Sequence, residues 1–165
     1  MIPDLQTDRP GTVRLDAAAL ADAALGVVSP GSLLLRIHRN GVEVLAAGEP
    51  GAVTAPGQPA PDRTIALPDH LVMPALVNAH THLDLSHVGP LAHDPAEGFV
   101  AWIHRVREAR ETTKEGITRA VRLGIDLSVA GGTVAVGDIA GAPAGRLCAA
   151  PARALAGSTL GGVSF

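Results

Sequence analysis

The chain has 165 residues, a formal net charge of −3 and a pI near 6.1. Its 47% hydrophobic and 18% charged residues indicate a globular fold. The lack of a basic field argues against nucleic-acid or anionic-membrane partners, and a single cysteine, Cys148, excludes an intramolecular disulfide.

The first third of the chain is predicted to be rich in β-structure. Residues 16–25 fit either a helix or a short strand followed by a loop. Residues 33–38 and 42–47 are apolar runs on either side of Asn40-Gly41, and this arrangement predicts an antiparallel hairpin. Four prolines between residues 48 and 63 predict a loop, because proline cannot donate a backbone hydrogen bond.

The rest of the chain alternates predicted strands and helices. Residues 64–67 suggest a short strand, and the nearly continuous apolar run 76–79 predicts a strand buried on both faces. Strands are also expected at residues 133–139 and from residue 161 onward, with a helix at 146–156 between them. Strand, helices, strand, helix, strand is the order of a parallel α/β sheet.

Two helices are predicted between the first two of these parallel strands. Residues 94–97, DPAE, combine an Asp cap, a proline at the first helical position and a glutamate in the first turn. Residues 112–115, TTKE, resemble a second capping box, and Gly131-Gly132 is expected to end that helix. Apolar stripes at helical spacing predict that both helices pack one face against a core; they consist of Phe99, Trp102, Ile103, Val106 and Ala109, then Ile117, Ala120, Val121, Gly124 and Ile125.

His80 and His82 form the motif that carries chemistry. Residues two apart in a strand point to the same face, so both imidazoles can meet one cation at the carboxyl end of the strand. Imidazole suits zinc, iron and related ions. A bare His-x-His also occurs by chance, so its context decides how much it means.

That context resembles the amidohydrolase superfamily. Residues 73–83, MPALVNAHTHL, are similar to its first-strand signature, with Ala75 where the family usually has glycine. Residues 83–86, LDLS, and 131–138, GGTVAVGD, are similar to the deaminase and chlorohydrolase branch. The resemblance implies a small β-sandwich followed by a (β/α)8 barrel, with His80 and His82 as ligands of a divalent metal. Zinc is expected, with iron as the alternative.

The resemblance also implies a metal-activated water that attacks a carbon bearing nitrogen or halogen in a small-molecule substrate. The family's other metal ligands and its acid/base residue belong to later strands, so no catalytic residue is named. Asp84 is a candidate for substrate contact, or else a solvated loop carboxylate. Asp138 is expected either to support the metal site or to form a turn. His87 and His93 are loop histidines with a weaker claim to a ligand, and residues 105–110 read as a solvated basic helix face.

Length conflicts with a complete barrel. Such barrels take about 250 residues, and the segment from Leu71 to Phe165 is less than half of that. Residues 1–63 are therefore expected to form the sandwich segment and linker, and residues 64–165 the first βα units of an incomplete barrel. Three hypotheses result. The chain is part of a deaminase-like hydrolase, or it is an inactive or partner-binding fragment, or it is part of a two-metal cyclic-amide hydrolase.

Three further expectations follow for the chain by itself. It should bind metal weakly and show no detectable hydrolysis. Residues 1–8 have no basic start or apolar run typical of a secretion signal, so a cytoplasmic location is expected. Homo-oligomerisation is left open.

Overall fold

The computed structural model describes residues 9–92, 94–141 and 148–165. The chain divides into two compact units, Met1–Pro74 and Ala75–Phe165. Both antiparallel and parallel sheets are present together with helices, so the predicted α/β class is confirmed. Residues 1–8, where the absence of a secretion signal was inferred, lie outside the described residues.

The first unit contains one five-stranded sheet. Its strands are β1 Gly11–Asp22, β2 Gly26–Val28, β3 Gly31–His38, β4 Gly41–Gly48 and β5 Arg63–Val72. β1 pairs antiparallel with β2 and β3, β3 pairs antiparallel with β4, and β5 lies parallel to β1. The expected division after residue 63 is therefore displaced, because β5 belongs to this sheet and the first unit extends to Pro74.

Local sequence explains most of this unit. The predicted hairpin is confirmed as β3–β4, with His38 paired to Gly41 across the turn. The ambiguous run 16–25 is mostly strand, and it ends where the Asp22 carboxylate accepts the backbone N–H groups of Ala24 and Leu25. The core is built from aliphatic side chains, namely Val13, Leu15, Ala17, Leu20, Leu35, Ile37, Ile65 and Leu67.

The second unit is a three-stranded parallel sheet with helices between its strands. Its strands, in spatial order, are β6 Leu76–Thr81, β7 Thr133–Asp138 and β8 Gly161–Ser164. Its helices are α1 Gly98–Glu108, α2 Lys114–Ala130 and α3 Ala150–Ala156. The predicted alternation and the parallel pairing are both confirmed. The helix expected at 146–156 begins only at Ala150, and residues 142–147 lie outside the described residues.

Helix α2 provides the core of this unit. The Thr113 hydroxyl accepts the N–H of Gly116 and caps the helix, and Gly131 ends it, as predicted. Its predicted apolar stripe is buried, in contrast to the outward positions of the same helix. The core also includes the turn after β6, strand β7 and helix α3, through Leu83, Val136, Ala150, Leu155 and Leu160.

Two burial predictions are wrong. Strand β6 was expected to be buried on both faces, yet Leu76 and Val77 are exposed. Helix α1 was expected to pack its stripe into a core, yet none of its residues is buried and Phe99 is 69% exposed. Apolar periodicity identifies the element, whereas burial requires a neighbouring element that covers it. In the described part of the chain, no helix is long and apolar enough to cross a membrane.

Candidate metal centre

His80 and His82 lie side by side where β6 ends. The strand runs from Leu76 to Thr81, and a turn of 3-10 helix, Leu83–Leu85, follows directly. The two ring centroids are 5.3 Å apart and the rings are nearly perpendicular, at 83°. Two imidazoles that bind one tetrahedral zinc at Zn–N distances of ~2.0–2.1 Å have ring centres about 5 Å apart. The spacing of the two rings is compatible with a shared metal ion.

The ring of His82 has a defined orientation. Its Nδ1 lies 2.7 Å from the carbonyl oxygen of Ile139, which follows strand β7. A carbonyl oxygen can only accept, so Nδ1 carries the proton. In a neutral imidazole the lone pair then resides on Nε2. Metal-binding histidines almost always donate their second ring nitrogen in this way, so His82 has the environment typical of a ligand.

Asp138 ties the two neighbouring strands to this turn. One carboxylate oxygen accepts the backbone N–H of Leu83 at 3.0 Å, and the other accepts the Ser164 hydroxyl at 2.9 Å. The Asp138 side chain is buried. The two interpretations offered from sequence were metal-site support and turn formation. In the structure the carboxylate joins three segments of the chain directly beside His82, and its support of a metal site stays a prediction.

Asp84 is buried and paired with a cation. It is 1% exposed. Its Oδ2 lies 2.9 Å from Arg110 Nε in an ion pair, and Arg110 Nη2 donates a hydrogen bond to its Oδ1 at 3.4 Å. Burial raises the pKa of Asp84 and the Asp138 carboxylate adds to this, whereas Arg110 acts to lower it. Asp84 is therefore not the solvated loop carboxylate offered as the alternative, and its contact with a substrate stays a prediction.

Arg110 corrects the prediction of a solvated basic face at residues 105–110. It follows the end of α1, its side chain is only 17% exposed, and it faces Asp84. Its guanidinium also lies against Gly141, where an added Cβ would be 1.9 Å from an Arg110 nitrogen. Arg105 fits the prediction better, because it is 40% exposed and pairs with Glu97 near the surface.

The structure does not place the other candidate ligand that it describes, His87, beside His80 and His82. His87 places its two ring nitrogens 2.9 Å and 3.1 Å from the carbonyl oxygens of Asp84 and Ala109, which suits a tie between segments rather than a ligand. His93 lies outside the described residues. Cys148 packs against the core, as predicted. In residues 9–92, 94–141 and 148–165, no group of three or more His, Cys, Asp or Glu side chains is arranged to hold a metal.

Sequence reasoning missed two contributors to the site. The Ile139 carbonyl is a main-chain group, so no residue type signals it. Gly137 could have been noticed, because a glycine inside a strand often marks close backbone approach. A Cβ at Gly137 would lie 2.4 Å from the carbonyl oxygen of Ala79, the residue before His80. The glycine therefore lets β7 approach β6 beside the histidine pair.

Comparison with known proteins gives a likeness of fold. No protein-family model and no curated protein sequence matches the chain. Solved structures do match: an adenosine deaminase from Xanthomonas campestris with bound zinc aligns at 22% identity and a TM-score of 0.61, over 90% of this chain and 32% of the deaminase. A triazine hydrolase from Arthrobacter aurescens aligns at 16% identity and 0.62, over 94% and 35% of the two chains.

An atrazine chlorohydrolase from Arthrobacter aurescens, complexed with zinc, aligns at 16% identity with a TM-score of 0.58, over 92% of this chain and 35% of that enzyme. The chain thus spans about a third of the length of these proteins. All three belong to the amidohydrolase superfamily, so the resemblance stated from residues 73–83 is confirmed at the level of fold. Sequence identities this low support a shared fold but not a shared activity.

Proposed function

We propose that this chain forms the first part of a metal-dependent hydrolase that acts on non-peptide carbon–nitrogen bonds of small molecules, in the manner of the deaminase and chlorohydrolase branch. The observation that carries the proposal is the donation by His82 Nδ1 to the Ile139 carbonyl, beside His80 at the end of a parallel strand. In this proposal β6, β7 and β8 are the first strands of a (β/α)8 barrel. The carboxyl ends of such strands are where barrel active sites lie.

The donor set fits zinc, with iron as the alternative. Two imidazoles provide two of the three protein ligands typical of catalytic zinc, and the third is expected outside the described residues. When bound, the ion would supply a hydroxide at neutral pH for attack on the substrate carbon. The chain's own part is to hold two neutral imidazoles on one strand face, with the His82 proton kept on Nδ1. No general acid or base is assigned to any residue described.

A partner-binding fragment is the second candidate, favoured by a specific observation. Large apolar side chains of the second unit are exposed on its strands, on α1 and directly after β8, including Leu76, Val77, Phe99, Val163 and Phe165. Exposed apolar groups of this kind often mark an interaction surface. The two candidates differ in what they require of the histidines, because partner binding through these side chains leaves His80 and His82 without a role.

Metal binding by histidine variants tests the proposal. Zn²⁺ or Co²⁺ is titrated into the purified chain, and into His80→Gln and His82→Gln variants, with heat or Co²⁺ absorbance as the signal. Losing one of two imidazoles is expected to weaken binding by at least about tenfold, the lower end of effects at metal sites. His70→Gln is the matched control, since His70 is an exposed strand histidine of the first unit.

The outcomes separate the candidates. Equal affinity in all three variants would assign the metal to scattered surface groups and would contradict the hydrolase proposal. A selective loss at positions 80 and 82, with oligomers absent, would disfavour the partner-binding reading. The chain by itself is expected to give no detectable hydrolysis, and repeated turnover of an aminated or chlorinated heterocycle would overturn that expectation.

A further inference from the structure

Three hydrogen bonds attach residues 81–83 to Asp138 and Ile139. The carbonyl of Thr81 accepts from the Ile139 N–H at 2.8 Å. The N–H of Leu83 donates to the Asp138 carboxylate at 3.0 Å, and the His82 ring donates to the Ile139 carbonyl at 2.7 Å. The backbone on both sides of His82 and its ring are therefore all held by one dipeptide at the end of β7.

The dipeptide is itself anchored on its other side. The second Asp138 oxygen accepts the Ser164 hydroxyl, and the Asp138 carbonyl accepts the backbone N–H of Phe165. Both contacts lie at the end of β8. The carboxylate thus has a neutral donor on each oxygen and no room to rotate without losing one of them. We call Asp138 and Ile139 together the dipeptide clamp.

We propose that Asp138 is a positioning residue of the metal site, which acts through the clamp to hold the His82 ring as its Nδ1–H tautomer with Nε2 as the ligating atom. The inference rests on the proposed function, because it takes His82 to be a metal ligand. The hydrogen bonds around His82 do not depend on a bound metal. The carboxylate fixes the main chain after His82, and this keeps the ring within reach of the Ile139 carbonyl. Without that restraint the ring is free to leave the carbonyl and adopt the other tautomer.

A role in strand association alone would not require the ring bond. Asp138 would satisfy the Leu83 N–H and the Ser164 hydroxyl in the same way if residue 82 were any other amino acid. The ring bond is made to the carbonyl immediately after Asp138, so any displacement of Asp138 is passed on to the atom that fixes the His82 proton. Tautomer population is therefore the property that separates positioning from simple packing.

Long-range ¹H–¹⁵N correlation spectra of the ¹⁵N-labelled full chain measure the tautomer directly. They are recorded near pH 8, where an ordinary histidine is neutral, and His82 is assigned from the signals lost in His82→Gln. The wild-type chain is expected to give a protonated Nδ1 and an unprotonated Nε2 for His82. In Asp138→Ala the Nδ1–H to Nε2–H ratio is expected to fall roughly fivefold, since a neutral hydrogen bond is worth about 1 kcal/mol net.

Matched variants separate this effect from loss of folding. Asp138→Asn retains an oxygen for Leu83 and a polar group for Ser164, so it is expected to keep the wild-type tautomer. Ser128→Ala removes the hydrogen bond from the Ser128 hydroxyl to the Gly124 carbonyl within α2 of the same unit and should leave the His82 signals unchanged. If Asp138→Ala fails to fold by circular dichroism, Ser164→Ala replaces it, with a smaller shift in the same direction.

Each result decides the inference. A wild-type His82 that is protonated on Nε2 or mixed overturns it, as does an unchanged ratio in a folded Asp138→Ala and, where that variant is unfolded, in Ser164→Ala. A ratio that falls in these variants and is retained in Asp138→Asn supports it. Zinc titration followed in the same spectra tests the proposed function separately: if no zinc binds while the Nδ1–H tautomer persists, the hydrolase proposal fails and the positioning of His82 remains.

Discussion

Removing the cation that faces Asp84 should destabilise the second unit strongly. In Arg110→Met the Asp84 carboxylate, 1% exposed, loses its ion-pair partner inside the protein. Deleting one member of a buried pair costs about 3–5 kcal/mol. Because the Arg110 side chain is 17% exposed, we expect the lower end, about 3 kcal/mol. That is a large share of the 5–15 kcal/mol typical of a whole domain.

Urea unfolding measures this loss, with fluorescence of the single tryptophan as the signal. Trp102 lies in α1, so it reports on the second unit. The matched control is Arg105→Met, which removes an arginine from the same segment whose ion pair with Glu97 is about 40% exposed on both sides. Exposed pairs contribute about 0–1 kcal/mol, so the control should lie close to the wild type.

A double variant tests whether burial is the cause. Asp84→Leu together with Arg110→Met removes both charges, and replacing a buried pair by apolar groups is often close to neutral. The double variant should therefore be more stable than Arg110→Met alone. The reasoning fails if the two arginine variants lose equal stability, or if the double variant is the least stable of the set.

Two further predictions concern backbone spacing and pH. Gly137→Ala should lower the unfolding free energy by about 1–3 kcal/mol in the same urea assay, because its Cβ would stand 2.4 Å from the Ala79 carbonyl oxygen; wild-type stability would show that β7 and β6 are less closely spaced. Burial acts to raise the pKa of Asp16, but hydrogen bonds from Ser32 and Arg14 outweigh it and the pKa is lowered. The resulting stabilisation is present above the unfolded-state pKa and is lost as pH falls below about 4. Acid unfolding of Asp16→Asn should accordingly depend less on pH in that range, and parallel curves for the two proteins would contradict this.

Features set by local chemistry were predictable from the sequence. The Asn40-Gly41 hairpin, the Thr113 cap and the apolar periodicity of α2 all arise from residues close together in the sequence. The adjacency of His80 and His82 is of the same kind, because a strand places alternate residues on one face. The order of strands and helices likewise predicted a parallel sheet from the sequence alone.

Features that depend on distant segments were not predictable in this way. The periodicity of α1 gave the helix correctly but not its exposure, since burial depends on which element covers it. In the sequence, Arg110 is one charge among several in a basic stretch. Its ion pair with the buried Asp84 is seen only in the structure. The Ile139 carbonyl could not be identified at all, because every residue carries one and its role comes from the register of β7 beside β6.

The buried acids place a constraint on how the candidate metal site is held. Asp84 and Asp138 are both buried beside His82, and the charge of Asp138 raises the pKa of Asp84. Two carboxylates so close would repel each other if neither were compensated. Asp138 is satisfied by neutral donors at the sheet, whereas Asp84 depends on Arg110 from the end of α1. The orientation of His82 therefore rests on strands β7 and β8, and the charge balance around it rests on the segment after α1, so Arg110→Met should reduce stability more than it changes the His82 tautomer.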